Sequence, residues 1–278
     1  MNDSSVRTDL SDLLRQRYGA APDGIPARSN DIVAHLLSHR SVRAFLPEAL
    51  PTGTLETLVA AAQSAASSSN LQAWSVVAVQ DAARKARLSE WAGGQAHIRQ
   101  VPLLLVWVAD LSRLDRTAAR GGGEAAANRY LEMFLVAAVD AALAAQNASL
   151  AAEALGLGTV YIGALRNRAE LVAAELKLPP DAFPLFGLCV GRPDPERPAA
   201  IKPRVAPSAV LHRETYDPEG EAAAIAAYDE TIQAFQRSQG VPQVAWSQQA
   251  SQRVASAANL SGRHRLVELL RAQGFGLE

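Results

Sequence analysis

Polar and apolar positions fall in blocks along the chain, and the periodicity inside each block predicts an element. NDIVAHLLSHR starts a helix with Asn30 or Asp31 as its cap and Ile32, His35, Leu36 and His39 on one side. TLETLVAAAQSAA, capped by Thr52 or Thr54, repeats the helical spacing with Leu55, Leu58, Val59 and Ala62. SSSN at 67–70 breaks that helix, and AWSVVAVQD at 73–81 reads as a strand. DAARKARLSEWA is a short helix that the turn GGQ at 93–95 ends. VPLLLVWVAD is apolar without interruption between two breakers, the pattern of a strand buried on both faces.

The polar stretch SRLDRTAARGGGEAAANR reads as a surface loop with Gly121 to Gly123 at its tip. Residues 130–156 form a long helix, apolar nearly all round and stopped by Gly156. Glu132, Asp140, Gln146 and Asn147 make it too polar for a membrane span, so it belongs in the protein core or a subunit interface. GTVYIG at 158–163 is a strand, NRAELVAAELKL a helix, and FPLFGLCVG a further buried strand. The proline-rich GRPDPERPAAIKPRVAPS cannot pair as a strand. Two helices close the chain, around 219–238 and 262–273. Strands alternating with helices predict an α/β or α+β class with a helix-covered sheet. Residues 1–30, polar and loop-like toward their end, read as an extension outside the main core.

Composition narrows the function. At 49% hydrophobic and 20% charged residues, the chain is ordinary globular protein. A net charge of −1 offers no global field for nucleic acid or an acidic membrane. The N-terminus lacks the apolar core of a secretory signal, and the expected location is the cytoplasm. The single cysteine, Cys189, lies in an apolar run and reads as a buried core thiol. No disulfide within the chain can form.

Familiar catalytic signatures are missing. The chain has no GxxxxGK[ST] loop and no GxSxG elbow, and GLGTVYIG lacks the GxGxxG spacing. His35 and His39 stand four apart, but no third ligand accompanies them, so no metal site is expected. Five hydrogen-bonding patches remain: HRSVR (His39, Arg40, Ser41, Arg43), SSSN (Ser67, Ser68, Ser69), GGQ (Gln95), YIGA (Tyr161, Ile162, Gly163, Ala164) and KPR (Lys202, Arg204). An arginine fork suits phosphate, and glycines let backbone approach a ligand. Each patch alone reads most simply as solvated surface.

In order and content, SHRSVRAF, ASSSNLQ, GGQAHI, GLGTVYIGALRN and IKPR together resemble the oxygen-insensitive nitroreductase and FMN-dependent flavin reductase family, in its long-chain branch. The resemblance runs from about residue 31 to the C-terminus. It implies a nitroreductase-like α+β fold, three layers α-β-α, with a mixed, mainly antiparallel sheet and a homodimer. Residues 31–278 would then be one FMN-binding domain with a C-terminal helical extension, preceded by the N-terminal extension 1–30. It implies that His39, Arg40, Ser41, Lys202 and Arg204 hold the FMN phosphate and ribityl chain. Arg43 would face the N1–O2 side of the flavin, where a fixed cation stabilises the reduced form. Ser67, Ser68, Ser69 and Gln95 would contact the cofactor, and the backbone of Tyr161, Ile162, Gly163 and Ala164 would approach N5.

The implied activity is ping-pong transfer of hydride from NADPH or NADH, through flavin N5, to a small-molecule acceptor such as a nitroaromatic, a quinone or free flavin. No side chain need act as acid, base or nucleophile. Two departures stand out. RSQGVPQVAW at 237–246 has no basic residue after Arg237, which weakens the expected grip on a 2′-phosphate and leaves Arg237 and Arg253 as candidates. Ala164 replaces the second glycine of the family's YIGG. A flavin-binding storage or sensor protein and an unrelated enzyme of phosphorylated metabolites are the competing readings.

Overall fold

The computed structural model describes residues 10–19 and 30–278. The reading of 1–30 as an extension falls partly on residues 1–9 and 20–29, outside the described residues. Two compact units divide the chain: residues 1–40 with 200–260, and residues 41–199 with 261–278.

The larger unit is built on a four-stranded sheet in the order β1-β2-β4-β3. Its strands are β1 (Trp74–Val79), β2 (Leu103–Asp110), β3 (Gly158–Ile162) and β4 (Ala182–Gly191), and each neighbouring pair runs antiparallel. The four strands are thus antiparallel throughout rather than mixed, and an isolated parallel bridge between Ser41 and Thr159 lies outside them. Every residue of β2 is buried, which explains its unbroken apolar sequence. The pleat sends Leu103, Leu105 and Trp107 to one face and Leu104 and Val106 to the other. The first face packs on α3 (Thr54–Gln63) and α7 (Leu131–Ala154), through Leu58, Ala62, Ala144, Ala145, Ala148 and Ala152. The second packs on α4 (Ala82–Trp91), α5 (Ala96–Gln100) and α8 (Ala169–Glu175), through Leu88, Ile98 and Val172. Helices on both faces give this unit the expected three layers. Pro184 sits inside β4 beside a register shift at Trp107/Val108, where the missing N–H breaks no regular ladder.

Helix α7 resolves the ambiguity of its sequence. Small residues line its buried side, while Leu131, Leu135, Val139 and Leu143, four apart, are 43–55% exposed. By length and composition it is apolar enough to cross a membrane. Its Asp140, however, is 2% exposed and fully hydrogen-bonded inside the unit.

The smaller unit contains α1 (Leu10–Tyr18), α2 (Asp31–Leu37), α9 (Glu221–Ser238) and α10 (Trp246–Val254). Asn30 caps α2 by accepting from the Val33 N–H at 2.9 Å. Four helices differ from the sequence reading: α1, inside the stretch read as an extension, and three more. The polar stretch after β2 begins with α6 (Ser112–Arg120), which Gly121 ends. Five residues after GGQ form α5, and α10 stands between the two expected closing helices, α9 and α11 (Leu266–Ala272). All four are short, and α6 and α10 are mostly polar, which is why they read as loop rather than helix.

Candidate functional site

The residues singled out by the sequence fall into two sets, one in each unit, joined by the peptide bond between Arg40 and Ser41. In the smaller unit, His39 and Arg40 follow α2, while Lys202 and Arg204 lie on the proline-rich segment. Residues so far apart in sequence are held by Arg17 of α1. Its guanidinium donates to the carbonyls of Leu37 at 2.7 Å, His39 at 2.9 Å and Lys202 at 2.8 Å. The Arg17 carbonyl in turn accepts from the Arg204 N–H at 2.7 Å. The Tyr228 hydroxyl donates to the Pro203 carbonyl at 2.9 Å and fixes the same segment from α9. Lys202 and Arg204 are exposed, and among the described residues no carboxylate pairs with Arg40, Lys202 or Arg204. Burial, and then the Arg204 charge, lower the Arg17 pKa from its ordinary value. Cations gathered without a carboxylate partner form a set that an anion would complete.

In the larger unit, Ser41 to Phe45 lies along the sheet edge. The Val42 N–H donates to the Thr159 carbonyl at 2.8 Å, and Phe45 bridges to Pro193. Gly158 and Gly191, paired directly across β3 and β4, form the seat for this segment. A Cβ on Gly158 would come within 2.7 Å of Val42, and one on Gly191 within 2.9 Å of Phe45. Glycine is required there by close approach, not by an unusual dihedral. With Val42 and Phe45 buried, Arg43 points its exposed side chain away from the core.

The SSSN turn is anchored by Asp140 of α7. The Ser67 hydroxyl donates to it at 2.6 Å, the Ser68 N–H at 3.1 Å and the Ala73 N–H at 3.2 Å. Ser69, Asn70 and Gln72 adopt left-handed backbone, with φ of 49°, 55° and 50°. Such a run of short polar residues turns successive backbone groups outward, and the carboxylate supplies the anchor. Sequence reasoning noted Asp140 only as a polar residue in an apolar helix; that mismatch was the available signal.

Gln95 donates from its side chain to the Ala92 carbonyl at 2.9 Å, which fixes the GGQ turn. Two residues on, His97 Nε2 is buried without a partner. Burial first, and the charge of Arg43 second, lower the His97 pKa below its ordinary value. Tyr161 is half-exposed at the end of β3 and packs edge-on against Phe186. Ile162 is buried, and Gly163 and Ala164 open a 3-10 turn. The Arg166 guanidinium lies beside Gly163 and donates to the Leu185 carbonyl, which stiffens this turn. Cys189 is buried, and burial pushes its thiol up to about 12, as expected of a core residue. No group of three or more His, Cys, Asp or Glu side chains is arranged to hold a metal among the described residues.

The arrangement offers paired resources: a cation cluster in one unit, and in the other an outward-facing arginine, a serine turn and an orphaned imidazole nitrogen. Within the smaller unit, the exposed cations suit a phosphate group.

Comparison with known proteins agrees. The nitroreductase family model matches residues 36–192, and the nitroreductase family C-terminal domain model matches 202–278. An FMN reductase (NADPH) of Bacillus subtilis is 39% identical over 227 residues, covering 79% of this chain and 90% of that protein. An NADPH-flavin oxidoreductase of Vibrio harveyi is 35% identical over 248 residues, covering 88% and 98%. Among solved structures, NfrA2 of B. megaterium superposes with a TM-score of 0.84 at 37% identity, covering 90% of this chain and 100% of that one. The Vibrio harveyi NADPH:FMN oxidoreductase complexed with NAD+ gives 0.80 at 33% identity, with the same coverage. With both of its domain models matched in order along the sequence, the chain belongs to the nitroreductase family.

Proposed function

We infer that this protein is an FMN-dependent NAD(P)H oxidoreductase that reduces small electron-poor acceptors, nitroaromatics, quinones or free flavin among them. The observation that carries the reading is the Arg17-held pair of segments that brings together Arg40, Lys202 and Arg204, which pair with no carboxylate among the described residues, in a chain with relatives named FMN reductase. FMN, when bound, supplies the two-electron chemistry that takes hydride from the nicotinamide and passes reducing equivalents to the acceptor.

The chain's own residues bind and orient. His39, Arg40, Ser41, Lys202 and Arg204 neutralise and hold the phosphate end. Arg43 places a fixed positive charge at the pyrimidine side, where negative charge develops on reduction. Ser67, Ser68 and Ser69, held by Asp140, and Gln95, held by Ala92, present polar groups to the ring. Tyr161 to Ala164 bring backbone to the hydride-accepting edge. Residues 31–278 act as one cofactor-binding domain.

The active species is a homodimer, supported by the exposed stripe Leu131, Leu135, Val139 and Leu143 on α7. Four large apolar residues in line on one helix face are what a second subunit would cover. The site of action is the cytoplasm. Nicotinamide selectivity is weak: beyond Arg237, which donates to Gln243 at 3.0 Å, the segment before Trp246 is uncharged. Initial-rate kinetics at several fixed acceptor concentrations test this reading. Parallel double-reciprocal lines with both NADPH and NADH are expected. Intersecting lines would exclude the ping-pong order, and no turnover would favour a flavin-storage protein.

A further inference from the structure

We propose that α1, which precedes the family-matched region, is a built-in clamp, and that Arg17 is the positioning residue that sets the phosphate site. The inference rests on the phosphate reading given above.

Arg17 lies before residue 36, where the family match begins, yet it is 6% exposed. Leu13, one turn earlier on the same face of α1, is 3% exposed and docks the helix. A buried guanidinium is costly unless its donors are satisfied. Here they are satisfied by three main-chain carbonyls, at 2.7–2.9 Å. Two of the three belong to residues carrying candidate phosphate donors, His39 and Lys202, which are 163 positions apart by subtraction of their numbers. The third, Leu37, ends the helix that leads into them. The planar fork of arginine spans several carbonyls at fixed angles; a lysine ammonium cannot reproduce that geometry.

The clamp acts on both ends of the KPR segment. The Lys202 carbonyl receives the Arg17 side chain, and the Arg204 N–H gives to the Arg17 carbonyl. Lys202 and Arg204 are thereby held with their charged ends exposed, on the same short segment that Tyr228 fixes through Pro203. Arg17 spends its donors on carbonyls, so it contributes order and a buried positive charge without contacting the anion. The exposed cations then need lose less freedom when phosphate arrives. Holding like charges together costs energy in the empty protein, and an incoming dianion offsets it.

Riboflavin provides the discriminating probe, since it lacks only the phosphate of FMN. Apoprotein is titrated with FMN and with riboflavin by quenching of flavin fluorescence, for the unaltered chain, Arg17→Ala and Arg17→Lys. The readout is the ratio of the two dissociation constants. In the unaltered chain FMN binds much more tightly than riboflavin. Arg17→Ala is expected to weaken FMN binding by about tenfold or more while leaving riboflavin binding within about twofold, from the typical worth of charge-assisted hydrogen bonds. Arg17→Lys is expected to fall between, since it keeps the charge and loses the fork.

Equal weakening of both ligands by Arg17→Ala would reduce Arg17 to general fold support and overturn the clamp. An unchanged ratio in both variants, beside a strong FMN preference in the unaltered chain, would overturn it while leaving the phosphate site intact. No FMN preference in the unaltered chain would remove the phosphate site and the clamp with it. Should Arg17→Ala fail to fold, Arg17→Lys carries the comparison, and a ratio identical to that of the unaltered chain counts against the proposal.

Discussion

Single residues here do their work by position more than by reactivity. Asp140 is the clearest case: a carboxylate inside an apolar helix, which two donors from the serine turn and the Ala73 N–H surround. Replacing it with Asn keeps the size but puts an N–H2 where an acceptor is needed. Asp140→Asn is expected to cost about 1–3 kcal/mol in urea unfolding, the usual penalty for an unsatisfied buried group, and to weaken FMN binding. Stability unchanged to within a few tenths of that would mean the turn holds itself. Gly158 makes the opposite demand, for an absent side chain. With Val42 already 2.7 Å from where a Cβ would sit, Gly158→Ala must push the Ser41–Arg43 segment off the sheet edge. The expected loss is about 1–3 kcal/mol, typical of overpacking, together with weakened flavin binding. Cys189 gives a simpler test. Buried and raised to about 12, it is expected to resist thiol reagents in the native protein and to react once per chain in denaturant.

At the scale of elements, periodicity identified all four strands and the long helices, because burial on one or two faces leaves a repeat that can be counted. It missed α1, α5, α6 and α10, which are short and, in α1, α6 and α10, polar enough in composition to read as loop. The candidate site was legible as residue types in a family order, but its supports were not. Arg17 in a polar leader and Asp140 in an apolar helix each look like local exceptions until the fold brings their partners to them. The ion-pair link between α4 and α8 was equally invisible: Arg84 and Arg87 both reach Glu175, at 2.9 and 2.6 Å. Their hydrogen bonds hold the Glu175 carboxyl down to about 2, from an ordinary 4.5. Because the folded value is the lower one, the link stabilises the protein above the ordinary value and fades as pH falls toward about 2. Glu175→Gln should therefore lower Tm at neutral pH, and the gap from the unaltered chain should close on acidification through that window. A gap that stays constant with pH would show that packing, not charge, joins the two helices.

For the whole molecule, the exposed line of α7 and the cation cluster lead to one expectation. In the proposed homodimer a second copy covers Leu131, Leu135, Val139 and Leu143, and flavin retention is expected to depend on it. Leu135→Glu with Val139→Glu is expected to shift the protein toward monomer in light scattering and to release FMN in parallel. A monomer that keeps its flavin would separate the two properties. The most direct measurement is the visible spectrum of the purified, FMN-reconstituted protein, followed without oxygen as NADPH or NADH is added. A bound flavin band that bleaches with either nucleotide and returns when a quinone is added is the expected result. A protein that takes up no FMN, or a flavin band that neither nucleotide bleaches, would contradict the assignment as an FMN-dependent oxidoreductase.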